Sequence, residues 1–270
     1  MQIENSKVLL VGASGGIGQE IAKELVLSGA KLLLAGRSEQ KLKLLQDELA
    51  SVDVSYTVVD FKNKSDRMNF KQVMSQYQAD IIINCLGVND LSLLSDMSDS
   101  DIANMMFTNL TVPTMLCRDF VDAYNQQKRT NKALIVNVGS ILGSIGLPGS
   151  SVYCATKFGV RGLSESLRRE LANSPIDVLY FAPRATKTAL NSAEIDDLNT
   201  ELGNHVDEPS WVAQQLIKAI KNKARSNLYL GFPESLFVRI NALLPNVVDK
   251  SIQKKLSTII KFCKREGVTS

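Results

Sequence analysis

The sequence predicts an α/β fold in which a mainly parallel, seven-stranded sheet carries helices on both faces. From residue 7 to about residue 180, short runs rich in valine, isoleucine and leucine alternate with longer stretches of helical periodicity, as in consecutive βαβ units. Residues 81–83 and 134–136 are apolar throughout, which is typical of strands buried on both faces. Because no linker-like stretch interrupts this alternation, we expect one large domain over residues 1–230 and a helical extension over residues 231–270.

The expected bounds of each element follow from the alternation between strand-like and helix-like periodicity. The strands are expected at residues 7–11, 31–34, 54–59, 81–85, 133–138, 177–181 and 227–230. The helices between them are expected at residues 17–28, 39–50, 65–77, 100–128 and 153–172. Gly29 stands where a helix C-terminal cap is expected, and Pro113 is a point at which the long fourth helix can kink or divide.

Composition and charge exclude several classes of protein. Hydrophobic residues make up 44% of the chain and charged residues 22%, which is close to the globular average and argues against long disorder. The net charge of +3 is too small to indicate a nucleic-acid partner. Four cysteines without a CxxC pair and a single histidine, His205, match no common zinc pattern, so no metal site is expected and His205 is interpreted as a surface residue.

The N-terminal residues have neither the basic region nor the apolar run of a secretory leader. No stretch approaches the roughly 18 uninterrupted apolar residues that a membrane-spanning helix needs. A cytoplasmic location is therefore expected.

The first strand leads directly into a glycine-rich turn at residues 12–18, GASGGIG, which a helix follows. Glycines at such a turn let the N–H groups of the helix start approach a pyrophosphate, whose charge the helix dipole favours. The spacing is GxxxGxG, and a turn that only makes a tight connection is the alternative. The strand–turn–helix context favours dinucleotide binding and a doubly wound Rossmann fold.

The residues after the second strand bear on which dinucleotide is bound. A fold that prefers NAD usually has an acidic residue here for the ribose 2′-hydroxyl, whereas this chain has Arg37 followed by Ser38. A guanidinium suits a 2′-phosphate, so NADP(H) is favoured and NAD(H) is not excluded. The alternative is an exposed arginine that begins the next helix.

A tyrosine and a lysine four residues apart carry the predicted chemistry. On a helix, Tyr153 and Lys157 share one face, and a nearby ammonium moves the pKa of a phenol from about 10 towards neutrality. A YxxxK pair alone is common on ordinary helix faces. Here it follows Ser140 by thirteen residues in a chain that begins with the glycine loop, which argues against coincidence.

Together these motifs resemble the short-chain dehydrogenase/reductase family, in particular its shorter, single-domain members. The resemblance covers about residues 5–230 and includes the turn at 84–87 and the segment 183–188. It implies that Tyr153 donates a proton to a substrate carbonyl oxygen, which Ser140 orients. It further implies that Lys157 lowers the pKa of Tyr153 and holds the nicotinamide ribose, and that Asn109 supports a water-linked proton relay.

The resemblance also implies a set of cofactor-binding residues, in which Asp60 contacts the adenine while Thr188 and the backbone of Pro183 hold the carboxamide. The full set is Gly12, Ser14, Gly15, Gly16, Ile17, Gly18, Arg37, Ser38, Asp60, Phe61, Asn84, Gly87, Tyr153, Lys157, Pro183, Thr186 and Thr188. Three departures from the family pattern leave every reacting group in place. They are Cys85-Leu86 in the turn, Gly139 where a second serine often lies, and Arg184 where glycine is frequent.

The predicted reaction is the NADP(H)-dependent interconversion of a ketone or aldehyde with an alcohol. The expected substrate is largely apolar. Uncharged residues expected at the substrate mouth are Leu142, Ile145, Leu147, Ala189 and Leu190. Residues 191–208 hold six acidic and no basic side chains and fit either a lid or a solvated connection. A dinucleotide sensor or scaffold with little turnover is the alternative function. An extended-type epimerase or dehydratase is disfavoured, because the chain has no room for a larger substrate domain.

The C-terminal extension contains a basic amphipathic stretch, predicted as one helix at residues 246–266. Its apolar stripe consists of Ile252, Leu256, Ile259, Ile260 and Cys263, and the basic residues around it are Lys250, Lys254, Lys255, Lys261, Lys264 and Arg265. The stripe fits packing on its own domain or on another subunit of a homodimer or homotetramer, which we favour. An anionic membrane surface and a foreign protein partner are the alternatives.

Overall fold

The computed structural model describes residues 2–263 and contains, within that range, a seven-stranded sheet whose neighbouring strands are all parallel. The strands are β1 Lys7–Val11, β2 Lys31–Gly36, β3 Val54–Val58, β4 Ile81–Asn84, β5 Ala133–Val138, β6 Ile176–Ala182 and β7 Asn227–Tyr229. Their order across the sheet is β3-β2-β1-β4-β5-β6-β7. The predicted doubly wound Rossmann fold is therefore confirmed.

Helices enclose the sheet from both sides. They are α1 Gly16–Leu27, α2 Glu39–Leu49, α3 Lys64–Tyr77, α4 Asp99–Met106, α5 Val112–Gln126, α6 Ser151–Glu170, α7 Ala193–Glu201, α8 Pro209–Lys221, α9 Glu234–Leu243, α10 Pro245–Gln253 and α11 Leu256–Phe262. Successive strand residues point to opposite faces, so Leu10 and Ile83 pack on the side of α1, α2 and α8, whereas Leu9 and Ile82 pack on the side of α3 and α5. This double burial explains why the central strands are apolar throughout.

The long fourth helix that the periodicity predicts is divided. A π-helical turn, Phe107–Thr111, separates α4 from α5, and Pro113 lies in the first turn of α5. A proline is tolerated there because the hydrogen-bond register of the backbone changes at the π-turn, where the N–H of Val112 donates to the carbonyl of Phe107. The break carries Asn109, which is fully buried.

Two helices after β6 were not predicted individually. The segment 191–208 contains α7, whose Leu198 is buried against the C-terminal extension, so this acidic stretch is an ordered helix with its loops. Helix α8 begins with Pro209 at its first position and buries residues at helical spacing, among them Val212, Leu216 and Ile220. Proline at a helix start followed by that spacing is the sequence signal that identifies α8.

Up to residue 263, the last one described, the C-terminal extension forms three short helices, so the prediction of a single helix over residues 246–266 is wrong. Helix α10 ends at Gln253, and α11 packs against α7 with Ile259 and Cys263 buried. Leu256 stays 37% exposed, so only part of the predicted stripe is covered by the same chain. Lys264 and Arg265 lie outside the described residues. Among the helices described, none has both the length and the apolar character needed to cross a membrane.

Candidate active site

The glycine-rich turn lies at the carboxyl end of β1, where the strand order changes direction between β2 and β4. Gly12 has a φ of +84°, and a Cβ on it would lie 2.7 Å from the carbonyl oxygen of Cys85. A Cβ on Gly18 would overlap the carbonyl oxygen of Gly12. The glycines are therefore required by close backbone contacts, and the turn sits at the switch point where doubly wound folds bind their ligands.

Helix α1 begins within this turn, at Gly16. Gly15 is its N-cap and contributes no side-chain cap, so the first N–H groups of the helix are available to an anion. A Cβ on Gly16 would lie 3.0 Å from Cβ of Thr188. The loop that follows β6 thus lies directly on the start of α1, and the structure brings the predicted Thr188 to the glycine loop.

A cavity of about 240 Å³ opens beside the turn. Its lining includes eight of the predicted cofactor residues: Gly12, Ser14, Gly15, Arg37, Ser38, Asp60, Phe61 and Gly87. Lys41 and Lys62 also line it and were not predicted. Arg37 precedes the N-cap of α2 and Lys41 lies in its first turn, and both cations line the cavity.

Individual residues of the cavity are held by local hydrogen bonds. Ser38 caps α2 by accepting the N–H of Lys41 at 3.4 Å, and the carboxylate of Asp60 accepts the N–H of Lys62 at 3.0 Å. Arg37 is exposed at the rim. This end of the site is therefore a water-facing, positively charged opening.

The predicted reaction centre is buried on α6. The ammonium of Lys157 lies 5.6 Å from the ring centroid of Tyr153 and donates a hydrogen bond to the carbonyl of Val138 at 3.3 Å. Burial lowers the pKa of Lys157 to about 8. The two side chains thus share one helix face, as their spacing predicts.

Burial also raises the pKa of Tyr153 to about 12, and a hydrogen bond with the Ser140 side chain only partly opposes this rise. In this structure burial thus outweighs that hydrogen bond, and the lowering of the Tyr153 pKa by Lys157 stays a prediction. Removal from water disfavours the phenolate more than the hydrogen bond with Ser140 favours it. At neutral pH the phenol carries its proton.

Ser140 is positioned by a second tyrosine. Its N–H donates to the Tyr180 hydroxyl at 3.3 Å, and that hydroxyl donates to the Ser140 carbonyl at 3.0 Å. Tyr180 is fully buried, and a Cβ on Gly139 would overlap its ring. This packing explains why glycine stands where the family often has a second serine.

Asn109 lies close to the same centre and is held by the backbone. Its Oδ1 accepts the N–H of Val88 and its Nδ2 donates to the carbonyl of Val88, both at 2.8 Å. A Cβ on Gly87 would lie 3.9 Å from Asn109 Oδ1 and 3.8 Å from Lys157 Nζ. The structure therefore brings Asn109, Gly87 and Lys157 together, while the proton-relay role of Asn109 stays a prediction.

The side chain of Asn84 is turned away from the cavity. Its Nδ2 donates to Asn137 Oδ1 at 2.8 Å, and Asn137 donates to Ser164 at 2.9 Å. Its Oδ1 is buried without a hydrogen-bond partner among the described residues. Asn84 thus connects β4 to β5 inside the core, which leaves its backbone as the part available to a cofactor.

The loop after β6 holds three predicted residues in different ways. The carbonyl of Pro183 accepts the N–H of Ile141 at 2.9 Å. Thr186 is buried and donates its hydroxyl to the carbonyl of Arg184 at 3.0 Å, so this hydroxyl is used within the loop. Only Thr188, whose Oγ1 accepts the N–H of Leu190 at 3.3 Å, lies at the glycine loop.

The predicted substrate residues lie in several surroundings. Leu142 packs near Tyr153 in a small apolar cluster, whereas Leu147 packs with the residues between α7 and α11. Leu190 is 40% exposed, and its Cδ2 would lie 4.0 Å from a Cβ on Gly87. Ala189 is exposed and Ile145 half-buried. The structure thus places Leu142 and Leu190 on the reaction centre.

Two further expectations concern residues outside this centre. His205 is 65% exposed and lies 3.2 Å from Asp207. Within residues 2–263, no group of three or more His, Cys, Asp or Glu side chains is arranged to hold a metal ion.

Comparisons with known proteins agree with this geometry. Residues 6–199 match the family described as short chain dehydrogenase. The 3-oxoacyl-[acyl-carrier-protein] reductase FabG of Rickettsia typhi is 35% identical over 180 residues, which are 67% of this chain and 72% of that protein. Dehydrogenase/reductase SDR family member 7B of Xenopus tropicalis is 27% identical over 262 residues, 91% of this chain and 84% of that protein.

A solved structure shares the fold. The short chain dehydrogenase from Burkholderia cenocepacia J2315, crystallised in complex with NADP, superposes with a TM-score of 0.78 at 20% identity, covering 93% of this chain and 99% of that one. The family match covers residues 6–199, and the identity to FabG is 35% over 180 residues. The chain belongs to the short chain dehydrogenase family and is an oxidoreductase with a nucleotide-binding Rossmann fold.

Proposed function

We propose that this oxidoreductase uses NADP(H) to interconvert a ketone or aldehyde with an alcohol by hydride transfer. The observation that carries the proposal is the arrangement of the half-buried Ser140 with the buried Tyr153 and Lys157, next to Gly87 of the cavity at the glycine loop. It supplies a proton donor, a hydrogen-bonding hydroxyl and an ammonium within one site. These are the groups that proton transfer to a carbonyl oxygen requires.

The residues present fit a nicotinamide dinucleotide. Close backbone contacts at Gly12 and Gly18 fix the shape of the turn, and the first N–H groups of α1 suit a pyrophosphate. Arg37, Lys41 and Lys62 line the cavity and provide positive charge for a 2′-phosphate, which favours NADP(H) over NAD(H). The Burkholderia cenocepacia relative of the same fold was solved with NADP. When bound, the dinucleotide supplies or accepts the hydride.

Three side chains of the site have separate roles in the reaction. Tyr153 holds its proton at neutral pH, because its pKa is raised to about 12, and donates it to the carbonyl oxygen during reduction. Ser140 hydrogen-bonds the same oxygen and is fixed through its backbone by Tyr180. Lys157 supplies positive charge at the nicotinamide ribose. Oxidation of the alcohol needs the phenolate and therefore becomes faster as pH rises.

The substrate that we propose is a small, largely apolar carbonyl compound. Leu142 and Leu190 are uncharged and lie near Tyr153 and Gly87, respectively. FabG of Rickettsia typhi is named as a reductase of 3-oxoacyl groups, which supports a carbonyl substrate here. We further propose a homodimer or homotetramer in the cytoplasm, with the exposed part of the extension available to another subunit or to a membrane surface.

A panel of aldehydes and ketones, assayed by NADPH oxidation, tests the proposal. We expect turnover of at least one apolar carbonyl, and we expect the Tyr153→Phe variant to lose it while still binding NADPH. If the wild-type chain binds NADPH but oxidises it with no member of the panel, the reductase assignment is contradicted. A dinucleotide-binding sensor or scaffold would then be the function supported.

A further inference from the structure

Arg184 joins three segments that are far apart in the chain. It lies two residues after the end of β6, and its Nε and Nη2 donate to the two carboxylate oxygens of Asp207 at 2.9 and 3.0 Å. Its Nη1 donates to Glu234 at 2.8 Å and to the carbonyl of Phe232 at 3.1 Å. One guanidinium thus connects the loop after β6, the loop before α8 and the start of the C-terminal extension. We call Arg184, Asp207 and Glu234 the arginine clasp.

The burial and close packing around Arg184 favour an arginine at this position. Side-chain exposure is 9% for Arg184 and 4% for Asp207, so both charges are largely removed from water and depend on each other. The backbone of Gly231 passes directly over the guanidinium stem, because a Cβ there would lie 2.6 Å from Arg184 Cδ. Gly231 also has a φ of +82°, which favours glycine. A planar, bidentate group is required at this position.

The clasp stands next to the loop that reaches the dinucleotide site. The N–H of Asp207 donates to the carbonyl of Ala185 at 2.9 Å, and the N–H of Lys187 donates to the carbonyl of Asp207 at 3.0 Å. These two bonds join the backbone of Asp207 to the segment 185–187 at both of its ends. The next residue, Thr188, lies against Gly16 of the glycine loop. The position of Asp207 therefore sets the position of Thr188.

We propose that Arg184 is a positioning residue that holds this loop on the glycine loop, and that its bond to Glu234 makes dinucleotide affinity depend on the C-terminal extension. This inference rests on the proposed binding of a nicotinamide dinucleotide. Arg184 acts through Asp207 and Thr188. Glu234 acts through Arg184 and lies in the extension beyond β7.

Calorimetric titration with NADPH tests the inference without any substrate. We expect Arg184→Ala to weaken NADPH binding by about tenfold, and Glu234→Gln to weaken it by about fivefold, in the range usual for coupled sites. Arg184→Lys should recover part of the affinity, since it keeps the charge but loses the bidentate geometry. Matched controls are Arg225→Ala, which removes an exposed ion pair with Asp177, and Asp249→Asn, which neutralises an exposed acid of the extension. Both should bind NADPH like the wild type.

A second measurement separates positioning from loss of folding. Glu234→Gln leaves the Arg184–Asp207 pair intact, so its thermal unfolding without NADPH should match the wild type while its affinity falls. In a Thr188→Ala background, the effect of Glu234→Gln should largely disappear, because both changes act on the same loop contact.

The possible failures are distinguishable. If the wild type binds NADPH and both Glu234→Gln and Arg184→Lys bind it equally well, the inference is overturned and the proposed function stands. An undiminished effect of Glu234→Gln in the Thr188→Ala background would also overturn it. If the wild type binds neither NADPH nor NADH, the proposed function fails and the inference fails with it.

Discussion

The two ends of the candidate site use cations in different ways. At the rim, Arg37 is exposed and Ser38 and Asp60 are half-buried, so charges there stay hydrated and act on whatever enters from solvent. At the reaction centre, Lys157 and Tyr153 are 4% and 8% exposed. Burial lowers the pKa of Lys157 and raises that of Tyr153, so it favours the neutral form of both side chains. Under the proposed function, the rim would recognise the dinucleotide by its charge, whereas the reaction centre would hold and transfer a proton.

The largest expected effect belongs to the buried end. Replacing Tyr153 by Phe removes the proton donor, and loss of general acid catalysis typically lowers the rate by about 10²–10⁴-fold. The affinity for NADPH should change little, because the lost hydroxyl acts on the substrate oxygen. Steady-state kinetics with a carbonyl from the panel, paired with a binding titration, measures both quantities. A Phe variant with the parental rate would show that Tyr153 is not the donor.

The exposed end should show the opposite separation, with an effect on binding and little on chemistry. Arg37→Ala removes a charge-assisted contact of about 1.5–3 kcal/mol, so NADPH affinity should fall by roughly 10- to 100-fold while NADH affinity hardly changes. Arg169→Ala, which removes an exposed arginine of α6, is the matched control. Equal losses for the two nucleotides would contradict recognition of the 2′-phosphate.

The pH dependence of reduction should report the buried end alone. Reduction needs both Tyr153 and Lys157 protonated, so the lower of the two pKa values, about 8 for Lys157, sets the limit. We expect kcat/KM for a carbonyl to be level near neutral pH and to fall about tenfold per pH unit well above pH 8. A value that rises from pH 7 to pH 9 would refute this assignment of protonation states.

A serine scan of two glycines gives the smallest effect and compares a buried position with an open one. At Gly139 a Cβ would overlap the ring of Tyr180, whereas at Gly146 nothing lies within 4 Å of it. Overpacking costs about 1–3 kcal/mol, so Gly139→Ser should lower the Tm by several degrees, and Gly146→Ser should leave it nearly unchanged. Thermal unfolding of the two variants measures the difference. Equal Tm values would mean that Tyr180 does not constrain residue 139.

The amino-acid sequence alone is enough to predict the parallel sheet and most residues of the candidate site. Local periodicity and runs of apolar residues are properties of neighbouring residues, so they predict strands and helices before any contact is known. The same holds for the turn at residues 12–18 and for the spacing of Tyr153 and Lys157, which a single helix places on one face. These features were predictable because each depends on a few consecutive residues.

The surroundings of those residues, in contrast, come from the tertiary fold. The high pKa of Tyr153 depends on burial by several elements, and the glycine at 139 depends on Tyr180, which lies 41 positions further along the chain. The clasp depends on Asp207 and Glu234, whose separation from Arg184 gives no local signal. The physical reason is common to all three. Desolvation, close packing and ion pairing act through space, and residues distant in the sequence create each of them.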